Sequence, residues 1–242
     1  MTATRWLDQD GVLSALAADD GVVILPTDTL PGLHARLDRP EAVTRLRALK
    51  GRAEARPFLV LCADPAMVET LTAPMSTMVS RYLTKLWPGP FTVILSAAGH
   101  LATSTVAVRV PAPVGLRELL ARSGPLASTS ANRAGDDPAV DVAQAVAQFP
   151  ELPAWRASLP ASEGLASALV DLTGTKPHSI SRALDTRNMR LTSSVRGLVN
   201  SPSSPSQPKS CEADVFASRI LPSGAVTIML IGVLFMRVAR KS

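Results

Sequence analysis

The sequence predicts an α/β fold: a twisted, open, mostly parallel or mixed sheet flanked by helices, with a C-terminal tail of different character. Short apolar runs alternate with segments that space apolar residues three or four apart, as in strands and amphipathic helices. The chain is 46% hydrophobic but only 4% aromatic, which suits a sheet covered by helices better than an aromatic-rich sandwich. Its 242 residues fit one such domain with an appendage, or two small domains.

The first half of the chain alternates between the two types of element. Pro26 ends the strand at 21–25. Asp64-Pro65 is a good helix start, with Asp as N-cap and Pro in the first turn. The predicted elements are a helix within 5–18, a strand at 21–25, an apolar run at 33–37, a helix at 40–49, a strand at 58–63 and a helix from 65.

The second half continues the alternation. A helix is expected to stop at Trp87-Pro88-Gly89-Pro90, and Gly124 can end another. The predicted elements are a helix at 76–86, strands at 91–95 and 106–110, a helix at 116–122, a turn-forming loop at 126–132, a helix at 141–148 and a late strand at 168–172.

The chain divides into an α/β domain at 1–188, a Ser/Pro-rich linker at 189–219 and a hydrophobic, then basic, tail at 220–242. Residues 220–236 carry no charge, but a membrane span needs about 20 apolar residues, so a tail that packs or stays disordered is favoured over an anchor.

The N-terminus has no secretory signal. Cys62 and Cys211 have no metal-ligand spacing, and a cytoplasmic, reducing location is expected.

Two loops carry hydroxyl groups or cations beside predicted strands. Thr27 and Thr29 follow a strand directly and can bind a small polar ligand or simply form a capped turn. Lys50, Arg52 and Arg56 gather three cations, which favours an anionic ligand; the alternative is a solvated basic face at a helix end. On the first interpretation, Lys50 and Arg52 act on the ligand and contribute little to the fold.

Two further segments carry polar groups in or after apolar runs. Alternation places Thr105, Ala107 and Arg109 on one side of a strand, where the arginine needs either a ligand or a structural carboxylate as partner. The small polar residues between Ser128 and Asn132 suit either a turn or a loop that contacts nucleotide.

Several common catalytic devices are missing from the sequence. There is no Gly-x-x-x-x-Gly-Lys phosphate loop, no Gly-x-Gly-x-x-Gly fingerprint and no Gly-x-Ser-x-Gly elbow. His34, His100 and His178 are scattered and form no metal pattern. We therefore expect no metal cage, and a site that works by positioning and charge neutralisation. The net charge of +5 is compatible with anionic partners.

Taken together and in this order, these segments resemble the YrdC-like threonylcarbamoyl-AMP synthase family. The resemblance covers about residues 10–182. It lies in Pro26–Gly32, Leu49–Arg52 with Pro57, Leu86–Pro90, Val106–Pro111 and Pro125–Asn132, with a weaker match at Gly164–Thr173 and Arg182.

The resemblance implies a twisted α/β sheet and a nucleotidyltransferase reaction. L-threonine, bicarbonate and ATP would give threonylcarbamoyl-AMP and pyrophosphate, for the threonylcarbamoyladenosine modification of tRNA. Mg²⁺ would arrive with the nucleotide. The expected partners would be tRNA, bound weakly, and downstream threonylcarbamoyl transferase proteins.

The resemblance also implies roles for individual residues. Lys50 and Arg52 would be catalytic. The threonine-binding residues would be Thr29, Leu61, Arg109, Ser128 and Ser167. The ATP-binding residues would be Lys50, Arg52, Arg56, Thr105, Ser130, Asn132 and Arg182.

The chain departs from the family pattern at four places, which bear on turnover more than on fold. Leu30-Pro31 replaces Val-Tyr, residues 155–160 replace an acidic strand ending in Gly-Gly, Ser167-Ala168 replaces Ser-Thr, and Arg182 is not followed by Pro-Gly. A catalytically weakened homologue that binds nucleotide or RNA is therefore the alternative function. A carbamoyl-transfer module of hydrogenase maturation is disfavoured, because the chain has no paired Cys motifs.

Overall fold

The structure is a computed structural model that describes residues 5–51, 57–157 and 166–173. Its helices are α1 (Gln9–Ala17), α2 (Pro40–Lys50), α3 (Pro65–Glu69), α4 (Thr77–Leu86), α5 (Val114–Ser123) and α6 (Val142–Gln148). Its strands are β1 (Trp6–Leu7), β2 (Val22–Leu25), β3 (Gly32–Arg36), β4 (Leu59–Leu61), β5 (Phe91–Ser96), β6 (Thr105–Arg109), β7 (Leu126–Ser130), β8 (Ala154–Trp155) and β9 (Ala168–Asp171).

Local sequence signals set the helix ends. The side chains of Asp8, Asp64, Ser76 and Asp141 each accept a hydrogen bond from a backbone N–H in the first turn of α1, α3, α4 and α6. At the end of α2, Gly51 adopts a left-handed conformation with φ of 61°, and its N–H donates back to carbonyls of the last turn. The predicted cap at Asp64 is confirmed.

The described strands form one mixed sheet in the order β1-β8-β2-β3-β7-β4-β6-β5-β9. Four of its eight strand pairs are parallel and four are antiparallel. The predicted α/β class is confirmed, in its mixed form. The antiparallel pairs include β2–β3 and β5–β6, whose connections are too short for a helical crossover.

The two faces of the sheet differ in chemistry. One face is apolar and packs against α2 and α6 at one end and α3 and α4 at the other. The opposite face packs against α1 and α5 through a third cluster that includes Leu61 and Leu126. Cross-strand pairing puts the predicted site residues Ser128 and Arg109 on this second face, because Ser128 pairs with Leu59 and Arg109 pairs with Leu61.

Two sequence predictions are wrong. Residues 126–130 form β7 and not a turn: its small hydroxyl residues pair with β3 on one side and β4 on the other, so tertiary pairing overrides their turn preference. The first helix begins at Gln9 and not near residue 5, because Trp6 and Leu7 pair with the unpredicted strand β8.

The end of the predicted α/β domain at 188, the linker at 189–219 and the tail at 220–242 lie outside the described residues. Within 5–51, 57–157 and 166–173, no helix is both long and apolar enough to cross a membrane.

Candidate functional site

The predicted site residues on the second face occupy three successive rows of the sheet. Arg109 and Leu61 are cross-strand partners in the first row. Ser128 lies in the next row, where its partner on β4 is Leu59, two residues before Leu61. Ser130 and Thr105 lie two residues further in the same direction. Since two residues of a strand span about 7 Å, the Arg109 row and the Ser130 row are roughly 13 Å apart.

The first cluster joins Arg109 to the loop between β2 and β3. Arg109 Nη1 donates to Thr29 Oγ1 at 2.8 Å, and Thr29 Oγ1 lies 3.0 Å from Thr27 Oγ1. The Thr27 hydroxyl donates its hydrogen to the Leu30 carbonyl. In the hydrogen bond between the two threonines, Thr29 is therefore the donor and Thr27 the acceptor. The Thr29 hydroxyl therefore has one acceptor position left, and it can receive a hydrogen bond from a ligand.

Asp28 lies beside the same arginine. Its Oδ1 is 3.6 Å from Arg109 Nη2, and its Oδ2 accepts from the N–H of Ala112 at 3.0 Å. Burial lowers the pKa of Arg109, and the charge of Asp28 opposes that shift. A structural carboxylate and a ligand were the two partners that the sequence left open for Arg109; the carboxylate is present, at a distance too long for a direct hydrogen bond.

The second cluster is built around Lys50, the last residue of α2. The residue is only 8% exposed, which contradicts a solvated basic face at this position. Lys50 Nζ donates to the carbonyl oxygens of Ser130 and Asn132, at 3.1 and 3.0 Å, and to the side-chain oxygens of the same two residues. Ser130 Oγ in turn donates to Asn132 Oδ1 at 2.8 Å. Three residues assigned to the ATP side by resemblance thus form one hydrogen-bonded unit.

The Asn132 amide nitrogen is also occupied. Nδ2 donates to the carbonyl oxygens of Arg133 and Asp136, at 3.1 and 2.8 Å. These bonds close the turn after β7, so the positions of the Ser130 and Asn132 side chains are fixed before any ligand binds.

Ser167 reaches the same face from the edge of the sheet. It is buried, and its Oγ lies 2.8 Å from Thr92 Oγ1 of β5. Leu61 is fully buried in the cluster beneath α5. Thr105 is exposed at the start of β6. Arg52, Arg56 and Arg182 lie outside the described residues, so their assignments stay predictions.

Two polar residues of this face were not predicted as site residues. Asp28 lies inside the Pro26–Gly32 segment, and a carboxylate between two threonines directly after a strand was a usable signal. His34 is fully buried, pairs with Ser128 across β3 and β7, and its ring lies close to the position that a side chain at Gly32 would occupy. Nothing in the spacing of the three histidines indicated that His34 would be buried beside Arg109.

Comparison with known proteins gives the same family as the motifs. The Sua5/YciO/YrdC family, described as "Telomere recombination", matches residues 15–183. A candidate threonylcarbamoyl-AMP synthase of Mycobacterium tuberculosis is 33% identical over 177 residues, which cover 69% of this chain and 81% of that protein. A threonylcarbamoyl-AMP synthase of Nitrosococcus oceani is 34% identical over 136 residues, which cover 53% of this chain and 74% of that protein.

A solved structure has the same fold. Sua5 of P. abyssi, in complex with L-threonine, superposes with a TM-score of 0.63 at 24% identity. The match covers 73% of this chain and 56% of Sua5, so this chain spans just over half of that protein. With a family match over more than half of its length and the two named relatives, the chain belongs to the Sua5/YciO/YrdC family.

Proposed function

We propose that this chain is a threonylcarbamoyl-AMP synthase, which makes threonylcarbamoyl-adenylate and pyrophosphate from L-threonine, bicarbonate and ATP. The observation that carries the proposal is the placement of two preformed polar clusters on one face of the sheet. The Arg109–Thr29 cluster has a buried cation suited to a carboxylate. The Lys50–Ser130–Asn132 cluster lies two rows away.

The spacing of the clusters suits the reaction. Threonine bound by its carboxylate at Arg109 would lie on the same face of the sheet as Ser128 and Ser130, beside the proposed ATP side of the site. The ammonium loses a proton, and the free amine adds CO2 derived from bicarbonate and releases a second proton to give a carbamate. A carbamate oxygen then attacks the α-phosphate of ATP while pyrophosphate leaves. The protein supplies no nucleophile in this scheme. It aligns the two substrates and stabilises charge on the phosphates, a role for which Arg52 and Arg56 are the proposed cations.

Mg²⁺ is proposed to enter as part of the nucleotide. Within the described residues, no three His, Cys, Asp or Glu side chains come together as a potential metal site. An ion held mainly by the phosphate oxygens of the nucleotide needs no such protein cage.

The proposal extends to partners. Threonylcarbamoyl-AMP must be passed to a transferase that acts on tRNA, so we propose downstream threonylcarbamoyl transferase proteins and a cytoplasmic location, where ATP and tRNA are available. Weak tRNA binding by the basic chain would be dominated by phosphate contacts. Its affinity should therefore fall between low and moderate salt; an affinity independent of salt would contradict this part of the proposal.

The function is tested by following pyrophosphate release from ATP while L-threonine and bicarbonate are omitted in turn, with mass spectrometry of the product. A synthase releases pyrophosphate only when both are present and yields threonylcarbamoyl-AMP. A protein that binds ATP but releases no pyrophosphate under any of these conditions would be the weakened homologue instead.

A further inference from the structure

The candidate threonine site pairs a cation with hydroxyls. The residues assigned to threonine by resemblance are Thr29, Leu61, Arg109, Ser128 and Ser167, and none of them carries a negative charge. Free threonine is a zwitterion whose carboxylate and ammonium are attached to the same carbon. A site that binds the carboxylate at Arg109 therefore needs an acceptor for the ammonium close beside that arginine, because an unpaired buried charge is costly.

Asp28 has the position and the free atom that this role requires. Among the described residues it is the one carboxylate within ion-pair distance of Arg109, and the Asp28 side chain is 12% exposed. Its Oδ2 is fixed by the N–H of Ala112, whereas its buried Oδ1 has no hydrogen-bond partner in the part of the chain that the structure describes. A buried carboxylate oxygen without a donor indicates that a ligand supplies one.

The geometry of the Asp28–Arg109 pair does not fit a purely structural ion pair. A bidentate pair would have two N–H···O contacts near 2.8 Å. Here the nearest approach is 3.6 Å, and Arg109 Nε also has no partner among the described residues. The cation and the carboxylate are thus both held in place by other groups, Thr29 and Ala112, and each keeps unused hydrogen-bonding capacity.

We propose that Asp28 is the ammonium-binding residue of the amino-acid site, with Oδ1 accepting a hydrogen bond from the α-ammonium of L-threonine while Arg109 holds the carboxylate. This assignment rests on the proposed function. The chain would then select α-amino acids over hydroxy acids before any chemistry takes place.

The test compares two ligands by calorimetry: L-threonine and β-hydroxybutyrate, which is threonine without its amino group. The wild type should bind threonine roughly 10- to 100-fold more tightly, as expected for a charge-assisted hydrogen bond. Asp28→Asn keeps the size of the side chain and the acceptor for Ala112. The Asp28→Asn variant should bind threonine roughly 10- to 100-fold more weakly than the wild type does. It should bind β-hydroxybutyrate at least as tightly as the wild type does. Asp38→Asn, which alters an exposed carboxylate paired with Arg36, is the matched control and should change neither affinity.

The comparison separates ammonium recognition from support of the fold. A structural role for Asp28 predicts an equal loss for both ligands, and that result would overturn the proposal, as would an unchanged threonine affinity. If Asp28→Asn does not fold, Asp28→Glu keeps the charge but moves the oxygen, and it should again lose affinity for threonine selectively. A wild type that binds threonine but forms no threonylcarbamoyl-AMP would contradict the proposed function and leave this assignment standing.

Discussion

Lys50 Nζ donates a hydrogen bond to the carbonyl oxygen of Asn132 at 3.0 Å and so joins the last residue of α2 to the turn after β7. With the other three contacts to Ser130 and Asn132, four acceptors surround an ammonium group that has three hydrogens. These contacts favour a structural role for Lys50 over the expectation that it contributes little to the fold. Its hydrogens are engaged within the protein, which makes it a residue that positions the turn.

Replacement of Lys50 by Met should lower the free energy of unfolding by about 2 kcal/mol, because buried oxygens of Ser130 and Asn132 would lose a charged donor. Denaturant unfolding measures the change. Arg45→Met is the matched control on the same helix: Arg45 pairs with Asp20 at the surface, and its loss should cost at most ~0.5 kcal/mol. Equal effects of the two substitutions would show that Lys50 is not a structural link.

Two buried threonines give opposite expectations. Thr29 accepts from Arg109 and continues a chain of hydrogen bonds, so Thr29→Val should lower the free energy of unfolding by about 1 kcal/mol or more and weaken threonine binding. Thr129 is equally buried on β7, but its hydroxyl has no hydrogen-bond partner within the described ranges. Thr129→Val should therefore be neutral or stabilising by up to ~1 kcal/mol. Thermal unfolding of both variants checks the pair, and a destabilised Thr129→Val would contradict it.

Much of the fold could be predicted because its signals are local. The helix start at Asp64-Pro65 and the helix end at Gly124 depend on residues a few positions apart in the chain. The strand at 126–130 could not be predicted in this way. Its Ser and Thr residues favour turns locally, and they are extended only because β3 and β4 pair with them from distant parts of the sequence.

The site was predictable by residue type but not by environment. Sequence motifs identified Thr29, Arg109 and Ser130, and the structure joins the first two directly. Burial was not visible in the sequence, because a lysine at a helix end usually faces solvent, whereas Lys50 turns inward to the β7 turn. For the same reason, the position of Asp28 next to Arg109 could only be seen once 80 residues of intervening chain were folded.

His34 should make stability depend on pH. Its burial, and secondarily the charge of Arg109, lower its pKa to about 3, while the carbonyls of Gly32 and Val23 act weakly in the opposite sense. Between pH 3 and about 6.5 the unfolded chain therefore binds one more proton than the folded protein, so the free energy of unfolding falls as pH falls through this range, by up to ~1.4 kcal/mol per pH unit.

Replacement of His34 by Leu should remove this dependence. From pH 6.5 to 4.5 the wild type should lose roughly 2 to 3 kcal/mol more than His34→Leu does, measured by denaturant unfolding at each pH. His100→Leu alters an exposed histidine and serves as the control, which should follow the wild-type curve. Parallel pH curves for His34→Leu and the wild type would show that His34 exchanges protons in the folded protein as freely as in the unfolded chain.

Arg52 is predicted to act on the departing pyrophosphate. It follows the α2 terminus within a run of three cations, Lys50, Arg52 and Arg56. Lys50 donates hydrogen bonds to the β7 turn, so the prediction for phosphate contacts concentrates on the two arginines of this run. Arg52→Ala should reduce the rate of threonylcarbamoyl-AMP formation by about a hundredfold or more, as the loss of a preorganised donor does. Arg52→Lys should rescue only part of the rate, since an ammonium cannot reproduce the two-donor contact of a guanidinium.

The Arg52 prediction also requires that stability be unaffected, which separates it from Lys50. Arg52→Ala is predicted to keep the wild-type melting temperature, as expected for a residue that acts on the ligand. Lys50→Met should lower it, because Lys50 is a buried link between α2 and the turn after β7. Product formation and thermal unfolding, measured on the same preparations, give both values. A wild-type rate for Arg52→Ala would exclude a role in catalysis, and an unfolded variant would make Arg52 a structural residue like Lys50.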